Sequence, residues 1–178
     1  MIQWVQDLLD IEQRESRKRY ILNKHNQSIF ELLRKEVDAC VEQCNQARIR
    51  QREDADKFVA AELGAEGNEF TITVAVGQTE KLKLAYDINN GQLHFGKRKA
   101  IIDLEEVPAE LAPELEKNFA AVFSVDGNRI GRIPEIVEYI LKPILFATEI
   151  ISKLPPKKPM SFDSIVRDTA TRAPDTTT

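Results

Sequence analysis

No proline and no glycine occurs in the first 63 residues, and just beyond them the spacing of apolar side chains changes from about 3.6 to about 2. A chain divided in this way must place a long helical element before a sheet. The leading segment is rich in Glu, Gln, Arg, Lys, Leu and Ala, residues that favour helix. Its apolar positions step by threes and fours: Trp4, Leu8 and Ile11, then Leu22 and Ile29 after a polar stretch. From Phe30 the seam runs through Leu33, Val37, Cys40, Cys44 and Ala47, and Phe58 and Ala61 fall back on it. Such a repeat makes a stripe that another helix must cover, as in a coiled coil. Gln51 and Asp54 interrupt it. The polar run NKHNQS at residues 23–28 also breaks the pattern, and Ser28 with Glu31 has the spacing of a capping box. Two arrangements satisfy these facts: a helical hairpin turning at Asn23–Gln27, or a single helix of about 90 Å. The hairpin covers its own seam and is the preferred reading.

Gly64 to Gly67 ends this arm, glycine being the usual helix terminator. Phe70, Ile72, Val74 and Val76 then alternate with small or polar residues, as do Leu82, Leu84, Tyr86 and Ile88, and Leu93 with Phe95. Asn90-Gly91 is a strong hairpin signal. A two-residue turn there pairs Ile88 with Leu93 and Tyr86 with Phe95. Closing the earlier loop at Gly77–Lys81 pairs Val76 with Leu82, Val74 with Leu84, Ile72 with Tyr86 and Phe70 with Ile88. Both turns put the large apolar side chains on one face, which a one-residue slip would undo. Ala100–Leu104 extends this three-stranded meander to a fourth strand.

Two helices are expected next. Residues 113–124 offer Leu115, Phe119, Val122 and Phe123 on one side, and Asp126-Gly127 marks a turn. Pro134 suits the start of a helix over 134–154 that Pro143 kinks, and this helix packs on the apolar sheet face. From residue 155 the chain is Pro-rich and then Thr-rich, with too little apolar area to order itself. Within it, Phe162, Ile165 and Val166 have the i, i+3, i+4 spacing of a short docking anchor.

The charge bounds the functions available. Net charge is −4 over 178 residues, which argues against the broad basic face of a dedicated nucleic-acid binder. Residues 1–66 hold 11 basic against 13 acidic groups, residues 67–154 hold 10 against 13, and the tail holds 4 against 3. Any charged site is therefore a local patch. Two cysteines exclude a disulfide framework and fit a reducing, cytoplasmic setting. The N-terminus lacks the pattern of a signal peptide, and no stretch has the length of a membrane span.

Candidate chemistry is sparse. Cys40 and Cys44 share a helical face, but only two histidines exist to complete a zinc site, and small apolar packing is the simpler role. On the second sheet face the pairing above sets Asp87 opposite His94, with Thr71 beside them, as an acid–base pair would require. No nucleophile elbow or second carboxylate accompanies them in sequence. Thr73, Ala85 and Gly96 make a small central row that the arm or another subunit could cover. Lys81, Lys83, Lys97, Arg98 and Lys99 form a basic cluster, and Arg129 and Arg132 precede the helix start at Pro134, where an anion is favourably held. The loop at residues 126–137 fails as a calcium loop, because Ile130 and Val137 occupy ligand places.

These residues give an α+β chain with three parts. A long helix or helical hairpin (1–66) precedes an antiparallel meander of three to four strands with two helices (67–154), followed by an extended tail (155–178). The expected function is a non-enzymatic assembly or adaptor protein, without cofactor or metal. Its arm would bind a protein partner or another copy through Phe30, Leu33, Val37, Cys40, Cys44 and Phe58, and its tail through Phe162, Ile165 and Val166. The alternatives are nucleic-acid or anion binding at the basic cluster and, more remotely, hydrolysis at Asp87/His94.

Overall fold

In the computed structural model, residues 2–67, 69–108, 110, 115 and 119–156 are described. Helix α1 spans Gln3–Arg50 without a break, 48 residues or about 72 Å at 1.5 Å per residue. A 3₁₀ turn at Ala55–Lys57 follows. Seven strands come next: β1 (Val59–Glu66), β2 (Glu69–Val76), β3 (Thr79–Asp87), β4 (Gln92–Phe95), β5 (Arg98–Glu106), β6 (Phe119–Val125) and β7 (Asn128–Gly131). They form one antiparallel sheet in sequence order, each strand paired with the next. Helix α2 (Ile133–Leu145) closes the unit formed by residues 1–147, and α3 (Thr148–Ile151) belongs to a second unit. Among the described residues, no helix is long and apolar enough to cross a membrane.

The core lies between one face of the sheet and the two long helices. Ile72, Val74, Leu84, Tyr86, Leu93, Phe95, Ile102, Leu104 and Phe123 supply the sheet side. Ile21, Ile29, Phe30, Leu33 and Val37 come from α1, and Ile133, Ile136, Val137, Ile140 and Leu141 from α2. Phe30 stacks on Phe70 at 5.0 Å between ring centroids, and Tyr139 of α2 meets Phe95 edge-on at 6.4 Å. The expectation that the last long helix packs on the apolar sheet face holds; α1 shares that face with it.

The polar run at residues 23–28 is not a turn, so α1 is one helix rather than a hairpin. Asn26 explains the interruption. Its Nδ2 donates to the Ile88 carbonyl at 2.6 Å, and its Oδ1 accepts from the Tyr86 hydroxyl at 2.8 Å. The side chain is buried, so this polar residue serves the core contact itself. Ser28 and Glu31 lie inside the helix and cap nothing.

The helical arm ends thirteen residues earlier than composition suggests, at Arg50 instead of Leu63. Arg52 adopts φ +55°, which turns the chain, and residues 59–66 pair with β2 as strand β1. Their helix-forming Ala, Glu and Leu residues are overruled by a paired edge. The start of β1 is fastened by Asn45, whose Nδ2 donates to the Val59 carbonyl and whose Oδ1 accepts from the Val59 amide, both at 2.8 Å. The side-chain amide thereby imitates one residue of a neighbouring strand.

The meander is longer than three or four strands, and its register differs by two residues from the one expected. Val74 faces Leu82, Ile72 faces Leu84 and Phe70 faces Tyr86, with a bulge at Val74/Ala75. The β2–β3 loop is the two residues Gly77-Gln78, not Gly77–Lys81. In the next hairpin Tyr86 faces Leu93 and Leu84 faces Phe95. Asp87 is the cause there: Oδ1 accepts from the Asn89 and Asn90 amides (3.0 and 3.3 Å), and Oδ2 accepts from Asn90 Nδ2 at 2.7 Å. Those bonds stabilise a four-residue loop, Ile88–Gly91, over the two-residue turn. Because side chains alternate with period two, a shift of two keeps every apolar residue on the core face.

Residues 119–125 are strand β6, not the end of a helix. Five of its seven side chains are buried, and they lie on both faces of the strand. Such a run loses its alternation and mimics helical spacing. Asp126 and Gly127 both take positive φ (+52° and +78°), as a tight two-residue hairpin turn requires, and Val125 and Asn128 flank them as a pair. At the end of β7, Gly131 has φ +144°, and a Cβ there would lie 2.7 Å from that of Glu135. Helix α2 starts with Pro134 in its first turn, as expected, but ends at Leu145 instead of running to 154. Arg48 meets its C-terminus, with Nη2 donating to the Leu145 carbonyl at 3.2 Å and the guanidinium 5.9 Å from the Phe146 ring.

Candidate functional site

The first turns of α1 are more open to solvent than the rest of the helix. The first buried side chain of the helix is Ile21. Ahead of it Trp4, Leu8 and Ile11 are 63%, 57% and 52% exposed, and Ile2, Leu9 and Tyr20 are also open to solvent. About 15 residues, or about 22 Å of helix, therefore carry an apolar stripe largely open to solvent. The spacing 4-8-11 puts three large side chains on one line. Asp7 and Arg14 flank the line on one side, and Glu12 and Arg19 on the other, each pair seven residues apart. Gln3 and Gln6 bond Asp7 and Asp10 one turn on, each at 2.8 Å.

The seam expected to meet a partner is placed differently. Phe30, Leu33 and Val37 are buried against the chain's own sheet. Cys40 and Cys44 are half-buried beside them, with Arg48 Nε donating to Cys44 Sγ at 3.3 Å. Burial, then Glu36, pushes the Cys40 thiol above its ordinary range. Phe58 lies past the helix, immediately before β1. The surface left open is the earlier stripe of Trp4, Leu8 and Ile11. Phe162, Ile165 and Val166 lie outside the described residues.

The opposite face of the sheet carries a second constellation. Glu69 on β2 stands directly across from Asp87 on β3, while His94 on β4 faces Ala85, one position diagonal to Asp87. The expected opposition of Asp87 and His94 is thus replaced by a diagonal one, a consequence of the four-residue loop. A second carboxylate does accompany the pair. One side-chain donor atom from each of Glu69, Asp87 and His94 lies within 4.8 Å of the others. The Asn90 side chain, the Asn89 and Asn90 amides and the charge of His94 hold the Asp87 carboxyl below its usual pKa. Thr71 is buried between Gly64 and Ala85 on the same face. The small row there runs Gly64–Thr71–Ala85, whereas Gly96 sits in the β4–β5 turn with φ +61°. Helix α1 covers the other face.

The basic cluster is spread and partly neutralised. Lys83 Nζ lies 2.6 Å from Glu66 Oε1, Arg98 pairs with Asp126 at 3.0 Å, and Arg129 pairs with Glu105 at 3.0 Å. Arg98 also lies 5.8 and 5.4 Å from the Phe95 and Tyr139 rings. Arg132 occupies the N-cap position of α2. Lys81, Lys97 and Lys99 are exposed.

No protein-family model matches the chain, and no curated protein or solved structure matches it.

Proposed function

We propose that this is a non-enzymatic assembly protein whose first turns of α1 join it to a second copy of itself. The observation that carries the reading is the exposed Trp4–Leu8–Ile11 stripe on a helix otherwise seated on the sheet. Large apolar side chains in a row lose water contact only by meeting another surface, and such stripes mark interaction sites.

The flanking charges favour a second copy as that surface. In an antiparallel pair with Leu8 of one copy against Ile11 of the other, Asp7 of each copy falls beside Arg14 of its mate, and both contacts are attractive. A parallel pairing sets like residues at like heights and lacks this complementarity. With four central aliphatic residues, two from each copy, the association is weak. Light scattering or sedimentation tests it directly: the expected result is a monomer–dimer equilibrium in the micromolar range that Leu8→Asp abolishes. A strictly monomeric wild-type protein at high micromolar concentration overturns the self-pairing. The tail anchor at Phe162, Ile165 and Val166 remains part of the proposal as a second contact, and unchanged association after deletion of residues 155–178 removes it.

A further inference from the structure

The outer-face constellation goes beyond assembly. Two carboxylates directly opposed on adjacent strands repel one another and weaken the sheet, unless a cation lies between them. Among the described residues, neither Glu69 nor Asp87 has a lysine or arginine in ion-pair range; the nearby Lys83 is taken by Glu66. What approaches them instead is the imidazole of His94, a ligand for divalent metals when neutral.

We propose that Glu69, Asp87 and His94 form a binding site for a divalent transition metal of the zinc class. The donor set, one imidazole nitrogen and two carboxylate oxygens, suits zinc, cobalt or manganese, whereas calcium and magnesium favour all-oxygen shells. The donor atoms already lie within 4.8 Å of one another. Metal–donor bonds of about 2.0–2.2 Å bring tetrahedral ligands to about 3.5 Å apart, so modest rotation of the side chains closes the site. Asp87 is pre-oriented, because three hydrogen bonds from Asn89 and Asn90 hold its carboxylate in place and leave one lone pair on Oδ2 free. Three protein ligands leave room for water on the solvent side, where Glu69 and His94 line a shallow cleft of about 440 Å³ with Glu66, Lys81 and Lys83. The three ligands come from β2, β3 and β4, so the ion ties together the middle of the meander.

Zinc titration calorimetry on untagged protein, thermal melts with and without zinc, and cobalt absorption test the site. The expected result is one ion per chain, a raised melting temperature, and a cobalt spectrum without thiolate charge transfer. Because His94→Ala removes a direct ligand, it is expected to weaken binding by more than about 100-fold, beyond the usual cost of losing an outer-shell partner. Glu69→Gln is expected to weaken it by at least about tenfold. The chain has only two histidines, so imidazole NMR of the wild-type protein gives a readout independent of any variant's folding. Zinc is expected to shift the His94 signals and leave those of His25 in place. Binding that is absent at excess metal, an undisturbed His94 resonance, or thiolate charge transfer pointing to Cys40 and Cys44 each overturns the proposal.

Discussion

Residues 3–20 and residues 21–50 of α1 are two halves of one helix with the same three-and-four apolar spacing, yet they end in opposite surroundings. The second half buries Ile21, Ile29, Phe30, Leu33 and Val37, while the first leaves Trp4, Leu8 and Ile11 in solvent. The difference is not in the apolar stripe. It lies in the polar residues: Asn26 bonds the Ile88 carbonyl in the β3–β4 loop and Asn45 bonds Val59 of β1. Among the described residues, the first half instead meets the sheet through an ion pair, Lys18 to Asp103 of β5 at 3.9 Å. A periodic stripe says that a face must be covered; matched hydrogen bonds at its margins show that the sheet and its β3–β4 loop cover it here.

The largest test of this contrast is truncation in each half. Phe30→Ala, which empties a site between Phe70 and Tyr86, is expected to cost about 3–5 kcal/mol in urea denaturation. Leu8→Ala, measured at a concentration where the protein is monomeric, is expected to change stability by less than about 0.5 kcal/mol. Equal costs would mean that the two halves share one environment. Asn26→Ala comes next, at about 1–3 kcal/mol, since it strands the Tyr86 hydroxyl and the Ile88 carbonyl in the core. A double-mutant cycle with Tyr86→Phe is expected to show clear non-additivity, because both substitutions break the same bond.

Asn45→Ala is expected to cost about 1 kcal/mol, with faster amide exchange at Val59 than at the centre of β2. The smallest effect concerns pH at the end of the helix. A hydrogen bond from Lys57, then the charges of Lys57 and Arg48, hold the Glu53 carboxyl below its ordinary 4.5. Its contribution is complete above pH 4.5 and is lost as pH falls through the lowered folded value. Glu53→Gln should slightly flatten the stability profile in that acid range alone; a change confined to neutral pH would assign the effect elsewhere.

The core strands were legible because period-two alternation survives wherever one sheet face is wet. Residues 70–76, 82–88, 93–95 and 100–104 all satisfy it, and all but Ile88 lie in strands. Strand β6 escaped notice because its side chains are buried on both faces, and β1 because Ala, Glu and Leu read as helix. The hairpin reading of α1 failed at Asn26, a polar residue whose partners lie 60 and 62 positions away in the chain. Of the candidate metal centre, Asp87 and His94 were recognisable as chemistry-bearing residues on one face. Glu69 was not, because its place across from Asp87 depends on the register of the β2–β3 pair.

The sequence alone determined the order of helix and sheet, which side of each central strand is apolar, and the presence of a long helical stripe in need of cover. These follow from local periodicity and from turn residues, which act over a few positions. Only the tertiary structure decided how far the sheet extends and which half of α1 it shelters. It also decided the strand register and with it the meeting of Glu69, Asp87 and His94. Those outcomes depend on hydrogen bonds between residues far apart in the chain, and a stripe or an alternation carries no record of its partner.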